Sequence, residues 1–135
     1  MNEAMNTHGA FSWNELATTD MAAAKKFYGE LLGWTIEAMQ TESMGPYAMA
    51  KVGGEEVAGM RSLTPDDGDM RPAWGACVTV DDVDAIALRV KALGGTICVP
   101  PTDIPKVGRF TLIQDPQGAM LSLITYTEEA KNSSM

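Results

Sequence analysis

The pattern that most restricts this chain is a repeat. "LLGWTI" (31–36) and "ALGGTI" (92–97) echo each other about sixty positions apart, and each closes the same series of local signals. In the first series "AFSWNELA" (10–17) reads as a strand, with Phe11, Trp13 and Glu15 on one face and Ser12, Asn14 and Leu16 on the other. Thr19 and Asp20 supply a helix N-cap. Met21, Ala24, Phe27, Tyr28, Leu31 and Leu32 then recur at helical spacing up to Gly33. "WTIEAMQ" (34–40), "YAMAKV" (47–52) and "EVAGMRSL" (56–63) follow as strands, separated by the turn signals Gly45-Pro46 and Gly53-Gly54.

After the polar linker "TPDDGDMRP" (64–72) the order repeats. "WGACVTV" (74–80) is a strand, Asp82 a cap, and Val83, Ile86, Val90 and Leu93 a helical stripe ending at Gly94-Gly95. "TICVP" (96–100), "RFTLIQ" (109–114) and "AMLSLITY" (119–126) are strands, the last two joined by the tight turn "DPQG" (115–118). The chain is therefore expected to be an α+β protein built from two βαβββ modules, about 9–63 and 73–126, in one domain over 1–135, with a polar tail (127–135) that frays. Matching the echoed letters sets an offset of 61, which pairs Met21 with Asp82. An offset of 62 pairs Asp20 with Asp82, Ala24 with Ile86 and Leu31 with Leu93, and so matches buried faces. The offset of 62 is the expected register.

Two such modules, with "TTDMAAAKKFYGELLGW" in the first and "VDDVDAIALRVKALGG…DPQGAMLSL" in the second, resemble the glyoxalase, bleomycin-resistance and extradiol dioxygenase superfamily, the vicinal oxygen chelate fold. The resemblance covers roughly Gly9 to Tyr126. It implies that each module curls its strands into half a barrel with the helix outside, and that active members hold a divalent metal on His, Gln or Glu from the first and last strand of each module. Those places fall here on Trp13, Gly75, Ser122, and Ala58 or Gly59. None is an imidazole or a carboxylate, the groups a divalent ion requires. The chain is accordingly expected to bind no metal and no cofactor.

Composition narrows the partner. A net charge of −8 gives no basis for binding nucleic acid or an anionic membrane surface. No apolar run approaches the roughly 18 residues of a spanning helix, and the first nine residues lack the marks of an export signal, so a cytoplasmic location is expected. Cys77 and Cys98 form no CxxC pair and are expected to stay reduced. A small molecule remains as the partner, and the resemblance adds a homodimer.

If Trp13 faces a cavity, alternation sends Glu15 and Ala17 there too. Cys77 and Thr79 accompany Gly75, and Met120, Ser122 and Ile124 share a face of the last strand. The candidate ligand-binding residues are thus Trp13, Cys77, Thr79, Arg109, Met120 and Ser122. Trp13 is either a stacking platform or core filler. Glu15 is the candidate catalytic residue, because a carboxylate facing an apolar cavity loses hydration and its pKa rises; the alternative is an ion pair with Arg61 or Arg109. Arg109 would clamp an anion or pair with an acid. His8, ahead of the first strand in a segment expected to be mobile, is given no role, which excludes a Ser/His/Asp device. "DDGD" (66–69) is too closely spaced for a calcium loop and reads as solvated linker. The expected function is metal-free binding of an apolar or aromatic small molecule, as in resistance proteins; the alternative is a glyoxalase-like lyase or isomerase.

Overall fold

The computed structural model describes residues 3–41, 45–104 and 107–133. It resolves into two compact units, one Trp13–Gly75 and the other joining the residues up to Ser12 to those from Ala76 onward. The linker thus belongs with the first unit, while the N-terminal segment packs with the second. Among the described residues no helix is long and apolar enough to cross a membrane.

The first module runs β1 (Phe11–Thr18), α1 (Met21–Leu32), β2 (Thr35–Thr41), β3 (Gly45–Val52) and β4 (Glu55–Ser62), followed by a 3-10 turn, η2 (Pro65–Asp67). Its strands lie in the order β2-β3-β4-β1, with β4 parallel to β1 and the other neighbours antiparallel. The second runs β5 (Ala73–Thr79), α2 (Val83–Val90), β6 (Thr96–Ile104), β7 (Gly108–Gln114) and β8 (Met120–Tyr126), in the order β5-β8-β7-β6 with β5 and β8 parallel. A further 3-10 turn, η1 (Glu3–Asn6), precedes β1.

Both helices start from the expected caps. The Asp20 carboxylate accepts from the Ala23 N–H at 3.0 Å and that of Asp82 from the Ala85 N–H at 3.2 Å, each on extended backbone. They end differently. Gly33, at φ 73°, closes α1 with a bond to the Gly29 carbonyl. After α2 the chain winds more tightly, the Leu93 N–H reaching the Val90 carbonyl and the Gly94 N–H the Lys91 carbonyl, each three residues back. One residue is lost there, so Gly33 and Gly94, both at positive φ, stand 61 apart while the caps stand 62 apart. The echoed letters and the offset of 62 are both true, on either side of the helix.

Core side chains occupy one face of each set of strands. Leu16, Ala48 and Met60 pack with Ala24 of α1, backed by Met21, Tyr28 and Ile36. Val78, Val80 and Leu123 pack with Val83 of α2, backed by Ile86, Ile113 and Leu121. Alternation then commits the residues between them to the opposite face.

Three expectations are corrected. Gly45-Pro46 opens β3 rather than forming a turn, which leaves the β2–β3 connection outside the described residues. Strand β6 continues through Pro100-Pro101 to Ile104, which it tolerates as the outermost strand, where a missing N–H costs no ladder bond. Residues expected to fray form a short helix, α3 (Glu128–Ser133), with Ala130 buried and its N–H capped by the Thr127 hydroxyl at 3.1 Å.

Candidate functional site

On the face of the first module turned away from α1, β1 pairs Glu15 with Gly59 and Ala17 with Arg61 of β4, and β4 in turn pairs Gly59 with Met49 and Arg61 with Tyr47 of β3. Trp13, Glu15, Gly59, Arg61, Tyr47 and Met49 therefore share one surface. The polar groups on it are joined. The Tyr47 hydroxyl donates to Glu15 Oε2 at 3.0 Å, and Arg61 Nε lies 3.3 Å from Glu15 Oε1. The two terminal nitrogens of Arg61 grip the Asp67 carboxylate of η2 at 3.1 and 3.0 Å. Burial pushes the Glu15 carboxyl above its ordinary value, against the opposing pull of Tyr47 and Arg61. Asp67 is held below its ordinary value chiefly by the Arg61 hydrogen bonds.

Glycine at position 59 is a spatial requirement. A Cβ there would collide with the Tyr47 hydroxyl and lie 3.2 Å from the indole nitrogen of Trp13. Two aromatic side chains thus close over the point from which a ligating side chain of β4 would project.

The second module carries a different surface. Cys77 pairs with Ser122 and Thr79 with Ile124, and β7 adds Leu112 beside Ser122 and Phe110 beside Ile124. Cys77, Thr79 and Ile124 are buried. The Thr79 hydroxyl donates to the Ala4 carbonyl of η1 at 2.6 Å, and the backbones of Gly9 and Ala10 bond to that of Thr79 at 2.8 Å. His8 is held as well, its Nδ1 accepting from the Asp81 N–H at 2.9 Å, so the segment expected to be mobile is tied down. Met120 is exposed, with the Cys98 thiol 3.9 Å from its sulfur. Arg109 lies outside both surfaces, donating to Asp84 at 2.9 and 3.0 Å and to Asp103 at 3.0 Å.

The sequence puts Trp13 and Glu15 on one strand face and offers Arg61 or Arg109 as the partner of Glu15; Arg61 is the one that reaches it, while Arg109 is held by Asp84 and Asp103. Tyr47 and Asp67 are not among the candidates it offers. Tyr47 becomes visible only once β3 is registered against β4; Asp67, expected in a solvated linker, is instead gripped by Arg61.

Residues 10–123 match the profile of the Glyoxalase/Bleomycin resistance protein/Dioxygenase superfamily. The chain belongs to this superfamily. Among curated members it is 40% identical over 117 residues to "Putative glyoxylase CFP32" of Mycobacterium tuberculosis, covering 85% of this chain and 45% of that one. It is 31% identical over 127 residues to the anthracycline biosynthesis protein DnrV of Streptomyces peucetius, covering 85% and 46%. The chain thus spans slightly under half the length of these relatives. Of solved structures in the superfamily fold, a hypothetical protein of Bacillus halodurans superposes with a TM-score of 0.67 at 12% identity, over 90% of this chain and 97% of that one. Methylmalonyl-CoA epimerase of Mycobacterium tuberculosis gives 0.62 at 17% identity, over 92% and 91%. Both likenesses speak to the fold alone.

The metal that the superfamily implies does not fit the residues present. Structurally, Gly59 is the counterpart of Ser122, since each stands beside the matching residue of the first strand, Glu15 or Cys77. An indole that only donates, two glycines and a neutral hydroxyl offer no ligand set, and Tyr47 fills the space at Gly59.

Proposed function

We propose that this superfamily member binds an apolar or aromatic small molecule on the first-module face, without a metal. The observation that carries the reading is the closure over Gly59: where a metal ligand would arise, the Trp13 and Tyr47 side chains meet beside a small hydrogen-bonded polar group. Small-ligand sites are commonly built in this way, apolar walls with a few placed polar groups. The anthracycline biosynthesis relatives agree with an aromatic ligand. The test is two titrations of the purified protein. Zinc, manganese and nickel should bind with no stoichiometric high-affinity phase, and 2-naphthylmethanol should shift the Trp13 indole N–H resonance saturably. A stoichiometric metal lost on mutating Trp13 or Ser122, or no indole shift, overturns the reading.

A second reading is favoured by the Glu15 carboxyl, raised by burial and hydrogen-bonded to Tyr47. Here the protein is a lyase or isomerase in which Glu15 moves a proton next to a carbonyl. Turnover of such a substrate that survives Glu15→Gln at full rate would remove it. In either case we propose a cytoplasmic homodimer, to be checked by fractionation and light scattering.

A further inference from the structure

Charge on the first-module face does not balance. Glu15 and Asp67 are two carboxylates sharing one guanidinium, and their side chains are only 27% and 17% exposed, with that of Arg61 at 19%. Among the described residues no second lysine or arginine comes within ion-pair distance of either acid; Lys51 is taken by Glu37 at 3.0 Å.

The two acids hold Arg61 unequally. Asp67 has a two-pronged grip at 3.0 and 3.1 Å, the strong form of this pair. Glu15 has one contact at 3.3 Å and a neutral tyrosine hydroxyl at 3.0 Å. A carboxylate offers about four lone-pair positions, so Glu15 keeps acceptor capacity for another donor. A net negative charge in a partly dry site is costly unless something cationic joins it. The surroundings suit one kind of cation. Trp13 and Tyr47 border the site, and the chain as a whole stands at −8, which favours a cationic ligand over an anionic one.

Building on the proposed binding role of this face, we propose that its ligand is an arylalkyl ammonium ion, whose N–H donates to Glu15 while its ring lies against Trp13. The ammonium supplies the missing positive charge, Arg61 stays clamped to Asp67, and Tyr47 keeps its bond to the other carboxylate oxygen. A carboxylate ligand of the same shape meets two acids and one occupied guanidinium and is repelled. A neutral analogue gains the ring contact alone.

Three ligands of one shape test this: 2-naphthylmethylamine, 2-naphthylmethanol and 2-naphthoate, titrated at pH 7 and followed by the Trp13 indole N–H resonance, assigned with Trp13→Phe. The ammonium should bind about tenfold or more tighter than the alcohol, the size of one charge-assisted hydrogen bond, with naphthoate weakest. The gap should narrow as salt rises. Glu15→Gln should bring the amine down to the affinity of the alcohol, whereas Glu37→Gln, at the Lys51 pair, should leave the preference intact. Equal affinities for the amine and the alcohol, or a preference that survives Glu15→Gln, overturn the ammonium assignment and leave the binding role standing. If none of the three ligands shifts the resonance saturably, the binding role itself falls.

Discussion

Two modules of the same topology carry opposite chemistry on matching positions. Where the first has Glu15, Arg61 and Tyr47, the second has Cys77, Ile124 and Phe110 at the same places in the strand pairing. Each face is also met by a 3-10 turn. Asp67 of η2 reaches Arg61 in the first, and the Ala4 carbonyl of η1 receives the Thr79 hydroxyl in the second. The two turns begin 62 residues apart, at Glu3 and Pro65, so the duplication includes an element ahead of each first strand. The scaffold therefore needs only a strand-to-strand register and a helix-side core. The other face can be a hydrogen-bonded polar cluster or a mainly apolar, partly buried one.

Exchanging residues between the modules should break this contrast most severely in the second. Ile124→Arg would bury a guanidinium beside Phe110 and Cys77, and is expected to cost about 3–5 kcal/mol, since an unpaired buried charge is among the most destabilising changes. Denaturant unfolding measures it, and a loss below about 1 kcal/mol would mean that the second face is as permissive as the first. Arg61→Met, the converse, strands Glu15 and Asp67. Their partial access to water limits the expected loss to about 1–3 kcal/mol, and adding Glu15→Gln and Asp67→Asn should restore much of it. No recovery in the triple variant would show that Arg61 contributes through packing.

Gly59→Ala should push the Tyr47 ring aside and break its bond to Glu15, for about 1 kcal/mol. Loss of the downfield-shifted Tyr47 hydroxyl proton with an otherwise unchanged amide spectrum is the expected NMR signature. The smallest effect is on pH dependence. Because burial raises Glu15 above its ordinary 4.5, the folded protein holds that proton to higher pH than the unfolded chain. Its contribution to stability therefore falls as pH rises from about 4.5 through the raised value. Glu15→Gln removes that slope, so the variant should gain relative to wild type over that interval. Parallel stability curves would contradict a raised Glu15. Asp67 has the opposite sign, its Arg61-bound carboxylate losing stabilisation as pH drops below about 3.8.

Much of the fold was legible because its signals are local. Asp20 and Asp82 cap, Gly33 terminates, Gly53-Gly54 turns with φ of 58° and 85°, and period-two alternation assigns Glu15 and Cys77 to the face away from the helices. The site was half legible for the same reason. Trp13 and Glu15 lie on one strand, where alternation alone relates them. Tyr47 is 32 residues from Glu15 and arrives through two strand registers, which periodicity does not encode. Asp67 sits in a run of acids with the composition of a solvated loop, and only the preceding turn, with Pro65 at its start, aims it at Arg61. Arg109 stood beside no obvious partner in sequence, yet Asp84 and Asp103 surround it.

The packing of the N-terminal segment with the second unit sets an order of assembly. Ser12 bonds to Tyr126 across 114 positions at 2.8 Å, and Gly9 and Ala10 bond to Thr79. During synthesis the first module can collapse on its own local pairs, but the residues ahead of it have no place to dock until β5 and β8 have emerged and paired. Contacts this distant in sequence slow folding. The residues ahead of Trp13 are therefore among the last of the described residues to settle, and until then the Thr79 end of the second face stands open to a growing chain's neighbours.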